Sequence, residues 1–275
     1  MHKEPIVLDS VTHLKDEHRG RAGLCASHGG RYAAYYAAKQ GVSGVILCDA
    51  GIGREQAGIA GLDLLARLGV PAATFSSRTA RIGDGADAMA RGVVSFINPQ
   101  AAAIGLAPGM SCKDAVAKLV AANRPASPKP EELTEARVVV SPAGAKVRVV
   151  AMDSISLVAP DDEGQIIVTA SHGAMLPTKP GEAVKYKAAA VVCNDADRGM
   201  DDAGISRLAA LDKAGIAGAC VSAFSSRIGD GMSAWNDGFV SALNPTAERL
   251  GGRIGQSCKD FVAAMVAARS KQLGT

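Results

Sequence analysis

Short runs of β-branched residues alternate with Ala- and Leu-rich amphipathic segments along the chain. "GVILCDA" (44–50) gives way to "REQAGIAGLDLLARLG" (54–69), then to "VPAATFS" (70–76), a segment helical from about Asp84, and "GVVSFIN" (92–98). Such alternation predicts strands and helices in turn, hence an α/β fold with a mostly parallel sheet. One stretch reads differently. "VRVVAMDSISLVAP", the polar "DDEG" and "QIIVTASH" follow one another over 147–172, which predicts two strands around a turn, a hairpin. Near the end, "SCKDAVAKLVAA" (111–122) starts a helix, with Ser111 and Asp114 three apart as a capping box.

The pattern occurs twice. Sliding the chain by 146 lays 70–123 over 216–269 without a gap and gives 25 identities in 54 positions. Arg-Ile-Gly-Asp-Gly recurs at 81–85 and 227–231, Asn-Pro at 98 and 244, and Ser-Cys-Lys-Asp at 111 and 257. Upstream the offset is 144: "DSV" at Asp9 lies over "DSI" at Asp153, and "ASHG" at Ala26 over "ASHG" at Ala170. A period this long indicates a tandem duplication of whole domains, not a solenoid. We expect a first α/β repeat over 5–123, a Pro- and charge-rich linker over 124–148 and a second repeat over 149–269. Each would be a three-layer domain with an N-terminal hairpin. The copies differ after "ASHG". The first continues as a helical "GRYAAYYAAKQG", whereas Pro177 and Pro180 interrupt the second.

The shared polar residues fall just after predicted strands, where open α/β sheets bind ligands if strand order reverses. Ser27, His28 and Gly29 recur as Ser171, His172 and Gly173, and Asp49 recurs as Asp195. Arg81 and Asp84 recur as Arg227 and Asp230. The chain has five histidines, and only the 28/172 pair is shared. Histidine beside a carboxylate suits acid–base work, so His28, Asp49, His172 and Asp195 are the catalytic candidates. Arginine suits a bidentate grip on an anion. Ser27, Gly29, Arg81, Asp84, Ser171, Gly173, Arg227 and Asp230 are the substrate-binding candidates. Each has a plainer reading as well: a brace for the next helix, a helix cap or an Arg–Asp pair.

Composition narrows the classes. A net charge of +3 with no basic, aromatic-laced run excludes nucleic acid as an expected partner. No apolar stretch approaches the ~20 residues that span a bilayer. "MHKEPIVLDSV" lacks a leader pattern, and none of the six cysteines form Cys-x-x-Cys pairs, so a cytoplasmic location with reduced thiols is expected. No Walker or Gly-x-Gly-x-x-Gly loop opens a helix. The expectation is a hydrolase or lyase acting on a small anionic carboxylate or amide. It uses His/Asp acid–base chemistry with Arg as anion holder and needs no cofactor. The alternatives are a non-catalytic small-molecule binding or regulatory protein, and a Mg²⁺-dependent phosphate enzyme using Asp49, Glu55 and Asp84. Association as a homodimer is the default.

Overall fold

A computed structural model describes residues 4–274; Met1 to Lys3, the start of the stretch read for a leader, and Thr275 lie outside the described residues. The chain forms two compact units. Unit 1 comprises Met1–Thr134 with Leu176–Thr178 and Arg198–Ala203, and unit 2 the remainder. The boundary falls inside the expected linker.

Unit 1 contains β1 (Ile6–Leu8), β2 (Ala22–His28), α1 (Arg31–Lys39), β3 (Gly44–Cys48), α2 (Gly61–Arg67), β4 (Ala72–Phe75), α3 (Gly85–Arg91), β5 (Val94–Ile97), α4 (Pro99–Ala103) and α5 (Cys112–Ala121). Its sheet runs β1-β2-β3-β4-β5, parallel up to β4, with β5 antiparallel on β4. Alternate strand residues Cys25, Val45, Leu47 and Ala72 pack under Ala33, Ala34, Ala37 and Ala38 of α1 and Leu62 and Leu65 of α2. Alanine on α1 lets the helix lie close to the sheet. Helices α3 and α5 contribute nothing to that cluster; they pack against β1, β2 and β3.

Unit 2 contains β6 (Arg137–Val139), β7 (Val149–Met152), β8 (Ile166–His172), β9 (Ala190–Asn194), α6 (Arg207–Lys213), β10 (Ala217–Val221), α7 (Gly231–Asp237), β11 (Val240–Leu243), α8 (Pro245–Arg249) and α9 (Cys258–Gln272). Its sheet is ordered β11-β10-β9-β8-β7-β6, with β7 to β10 parallel and antiparallel strands at both edges. Successive residues face opposite layers. Val149, Ile166, Val168 and Val192 join Ala234, Phe261, Val262 and Met265 of α7 and α9. Val150, Ile167, Val191 and Cys193 join Leu208 and Leu211 of α6. The expected α/β class with mostly parallel sheets is present in both units. The expected linker (124–148) contributes β6 to the second sheet.

Two expectations are corrected. The expected hairpins do not form: β1 pairs with β2, and β7 with β8, in parallel, although unit 2 does open on an antiparallel pair, β6 with β7, one strand earlier than expected. The connections "SVTHLKDEHRGR" and "SISLVAPDDEG" form short 3-10 turns that return the chain along the sheet, long enough for a parallel crossover. Ser27 Oγ accepts the Val11 N–H (2.9 Å), and Ser171 Oγ accepts the Ile155 N–H (2.9 Å), tying each first turn to the neighbouring strand. The parallel strands also lie in sequence order, so no strand reversal opens a crevice.

The Arg-Ile-Gly-Asp-Gly loop instead lies over the strand ends. It leaves β4, and the Gly83 N–H reaches Ala26 O at the end of β2 (2.9 Å); α3 then packs on β1 and β2. Gly229 repeats this with Ala170 (3.0 Å). Gly83 (φ 82°) and Gly229 (φ 81°) are left-handed, where other residues are strained. Ile82 and Ile228 are buried. Asp84 caps α3 at the Asp87 N–H and Asp230 caps α7 at the Ser233 N–H. Gly85 and Gly231 donate N–H groups to Asp9 (2.9 Å) and Asp153 (2.8 Å). They approach the first parallel strand so closely that a Cβ on Gly85 would lie 2.7 Å from the Leu8 carbonyl carbon. We therefore expect Gly85→Ala to cost about 1–3 kcal/mol, read as a lower urea midpoint with an unchanged slope, and Ala86→Gly, on the same helix, to fall well short of that.

Candidate functional site

The sequence candidates gather at the carboxyl ends of β2, β3 and β4. In unit 1, His28 is in register with Cys48, one residue before Asp49. The Gly29 N–H donates to Cys48 O (2.6 Å), and the Asp49 N–H to Phe75 O (2.9 Å). Asp49 is 4% exposed. Its Oδ1 accepts two backbone N–H groups, from Gly51 (3.0 Å) and Ser77 (2.9 Å). One carboxylate oxygen thus pins the turn after β3 to the loop after β4. Asp195 does the same in unit 2, through Asp197 (2.9 Å) and Ala223 (2.8 Å).

The turn held by Asp49 is unusual. Ala50, Gly51, Ile52 and Gly53 have consecutive φ values of 48°, 72°, 66° and 68°. Ala196, Asp197, Arg198 and Gly199 follow suit at 47°, 59°, 60° and 66°. A left-handed residue other than glycine costs roughly 1–2 kcal/mol, and β-branched Ile52 is an outlier even among these. The Ile52 N–H closes on Asp49 O (2.7 Å), and the Gly58 N–H on Ile52 O (2.8 Å). The Ala50 N–H meets Cys48 Sγ (3.4 Å), whereas the Ala196 N–H meets Asn194 Oδ1 (2.9 Å). Strain of this kind concentrates at functional sites. Nothing in the residue types signals it, because only two of the first four residues are glycine.

His28 Nδ1 accepts the Gly30 N–H (3.1 Å), and His172 Nδ1 accepts the Ala174 N–H (3.3 Å). A neutral His28 ring therefore carries its proton on Nε2, a tautomer assigned from that bond. Burial lowers the His28 pKa from 6.5 to about 4, so the ring is neutral at physiological pH. Among the described residues His28 Nε2 and Asp49 Oδ2 have no hydrogen-bond partner. Neither belongs to the sealed unpaired atoms, which are Ser77 Oγ, Gln100 Oε1, Arg207 Nε and Arg269 Nε, so both meet solvent.

The remaining candidates are engaged within the protein. Arg81 pairs with Asp201 (2.8 Å) and lies 3.7 Å from both Asp84 and Asp87; Arg91 joins Asp87 (2.8 Å) and Asp201 (2.7 Å). Arg227 holds Asp230 through Nε (3.0 Å) and an Nη (2.9 Å). The guanidinium groups expected to hold an anion hold aspartates. Ser27 and Ser171 brace the first 3-10 turns, and the Gly29 and Gly173 amides close on the neighbouring strand. The six cysteines are free and buried, and burial pushes the Cys112 thiol up to about 12, which rules out a ready thiolate there. Asp49, Glu55 and Asp84 do not gather: among the described residues no three His, Cys, Asp or Glu form a metal-sized group. No described helix is long and apolar enough to cross a membrane. Sequence reasoning missed Ser77, whose N–H meets Asp49 and whose hydroxyl is sealed without a partner, and Thr74, 0% exposed on β4.

Comparison with protein-family models, with curated proteins and with solved structures returned no match.

The depressed His28 pKa has a signed effect on stability. As pH falls below 6.5 the unfolded chain takes up this proton before the folded one does. Stability therefore declines from about pH 6.5 to pH 4 and levels off below. His28→Asn keeps an acceptor for the Gly30 N–H and does not titrate. Denaturant unfolding of the two proteins across pH 7 to 4 should show the wild type losing up to ~3 kcal/mol more than the variant.

Proposed function

We propose that the chain is an enzyme of the hydrolase or lyase class acting on a small carboxylate or amide, with His28 and Asp49 as its acid–base pair. One observation carries this reading: at adjacent strand ends, a neutral imidazole donor and a carboxylate oxygen meet solvent without a protein partner. A neutral Nε2–H can polarise a substrate carbonyl without competing for its proton, and Asp49 Oδ2 can take a proton from the carbon or water beside it. The fixed Oδ1 keeps Oδ2 in place during transfer. Arg81 is committed to Asp201, so the anion-holding role passes to the first turn of α1, whose N-cap Gly30 supplies no side-chain cap.

The tandem duplication is part of the same reading. It is supported by matching hydrogen bonds at Asp49/Asp195, His28/His172, Gly83/Gly229 and Gly85/Gly231. A reducing, cytoplasmic setting suits six free thiols.

The test is thermal stabilisation by a panel of small mono- and dicarboxylates and their amides, followed by product analysis. A ligand at 100 times its Kd adds about 2.7 kcal/mol. Asp49→Asn keeps the Oδ1 acceptor and removes the base. It should retain ligand stabilisation and lose about 10²–10⁴-fold in turnover. Ligand recovered unchanged would make the protein a binding module, and stabilisation only by phosphates with Mg²⁺ would overturn the proposal.

A further inference from the structure

The two strand-end carboxylates differ at one atom. Asp195 Oδ2 accepts the Ser241 hydroxyl at 2.7 Å, so both its oxygens are engaged. The matching Ser95 in unit 1 does not reach Asp49; it bonds Thr74, hydroxyl to hydroxyl at 3.0 Å and to the carbonyl at 3.2 Å. The position matching Thr74 is Cys220, where Ser241 contacts only the backbone carbonyl (3.2 Å). A threonine hydroxyl thus holds one serine away from its aspartate, and a cysteine lets the other close down.

Other differences point the same way. Ser77 beside Asp49 is matched by Ala223, which brings no hydroxyl. Helix α1 has no counterpart in unit 2. There Arg207, at the position of Gly61, is buried and fixes the loop after His172, through Ala183 O (2.6 Å) and Ala174 O (2.8 Å). Gly61 has no such room: a Cβ there would lie 2.5 Å from that of Ala34 on α1.

We infer that unit 1 alone carries a working site and that unit 2 is a sealed copy, with Thr74 against Cys220 deciding which carboxylate stays open. This rests on the acid–base reading of His28 and Asp49. The inference commits the protein to one small carboxylate or amide ligand per chain, not two. It also makes Thr74 a positioning residue, acting through Ser95 on Asp49.

Calorimetric titration with malonate, succinate and succinamide, with a parallel measurement of carboxyl ¹³C shifts in Asp-labelled protein, tests it. We expect one binding site per chain. Asp195→Asn should leave Kd and turnover within twofold, while Thr74→Cys keeps Kd and lowers turnover at least tenfold by releasing Ser95 to Asp49. Two sites per chain, or equal losses in Asp195→Asn and Thr74→Cys, would overturn the inference. The ¹³C measurement separates it from the functional reading, since it needs no ligand. Ser241→Ala should move the Asp195 carboxyl resonance, while Ser95→Ala leaves that of Asp49 in place. Equal displacements would sink the sealing argument whatever the ligand. Failure of all three probes to bind, with the ¹³C contrast intact, would count against the carboxylate–amide reading alone.

Discussion

A single carboxylate oxygen holds each unit's strand ends in order. Asp49 Oδ1 takes N–H groups from two segments that would otherwise be independent, the turn after β3 and the loop after β4. A charge-assisted bond of this kind is roughly twice as strong as a neutral one, and both donors are backbone amides that need a partner when water is excluded. The bond lets four left-handed residues persist in sequence, and that turn sets where Oδ2 stands. Because the structural bonds use one oxygen and chemistry would use the other, the residue can serve both without compromise. Asp195 repeats the structural half.

Above the strand ends, the Arg-Ile-Gly-Asp-Gly strap does a different job from the one its repetition suggests. A motif kept twice invites a ligand-binding reading. Every residue in it nonetheless has a structural reason: the Asp caps a helix, the Ile is buried, the first Gly is left-handed, and the second meets backbone that no Cβ could approach. The Arg neutralises the aspartates around it. Repetition shows that both units need the strap, which is a constraint of fold and not by itself of chemistry.

Much of the fold was legible in the residues. Alternation gave the parallel α/β class, the offset identities gave two like units, and Ser111 and Ser257 cap their helices as the Ser-x-x-Asp spacing implies. The hairpin was misread because "DDEG" is a good local turn, and local propensity cannot see that Ser171 Oγ anchors the preceding segment to β8. The candidate site was legible only as a list. His28 and Asp49 do end adjacent strands, but which of their atoms remain open depends on bonds to backbone and on Thr74. None of these leaves a spacing in the sequence. The strained turn was invisible for a similar reason: Ala50 and Ile52 carry no preference for the conformation they adopt.

Sequential strand order also has a temporal side. Each strand–helix pair adds to the free edge of what precedes it, so unit 1 can grow from its N-terminus with short loops to close. Yet α3, which lies on β1 and β2, comes after β4 in the chain. During synthesis the first two strands must therefore wait, with apolar surface uncovered, until residues 85–91 and then 112–121 emerge and fold back across them. Helix α5 is the last stitch in the first sheet, and the nascent chain is most prone to sticking just before it is drawn.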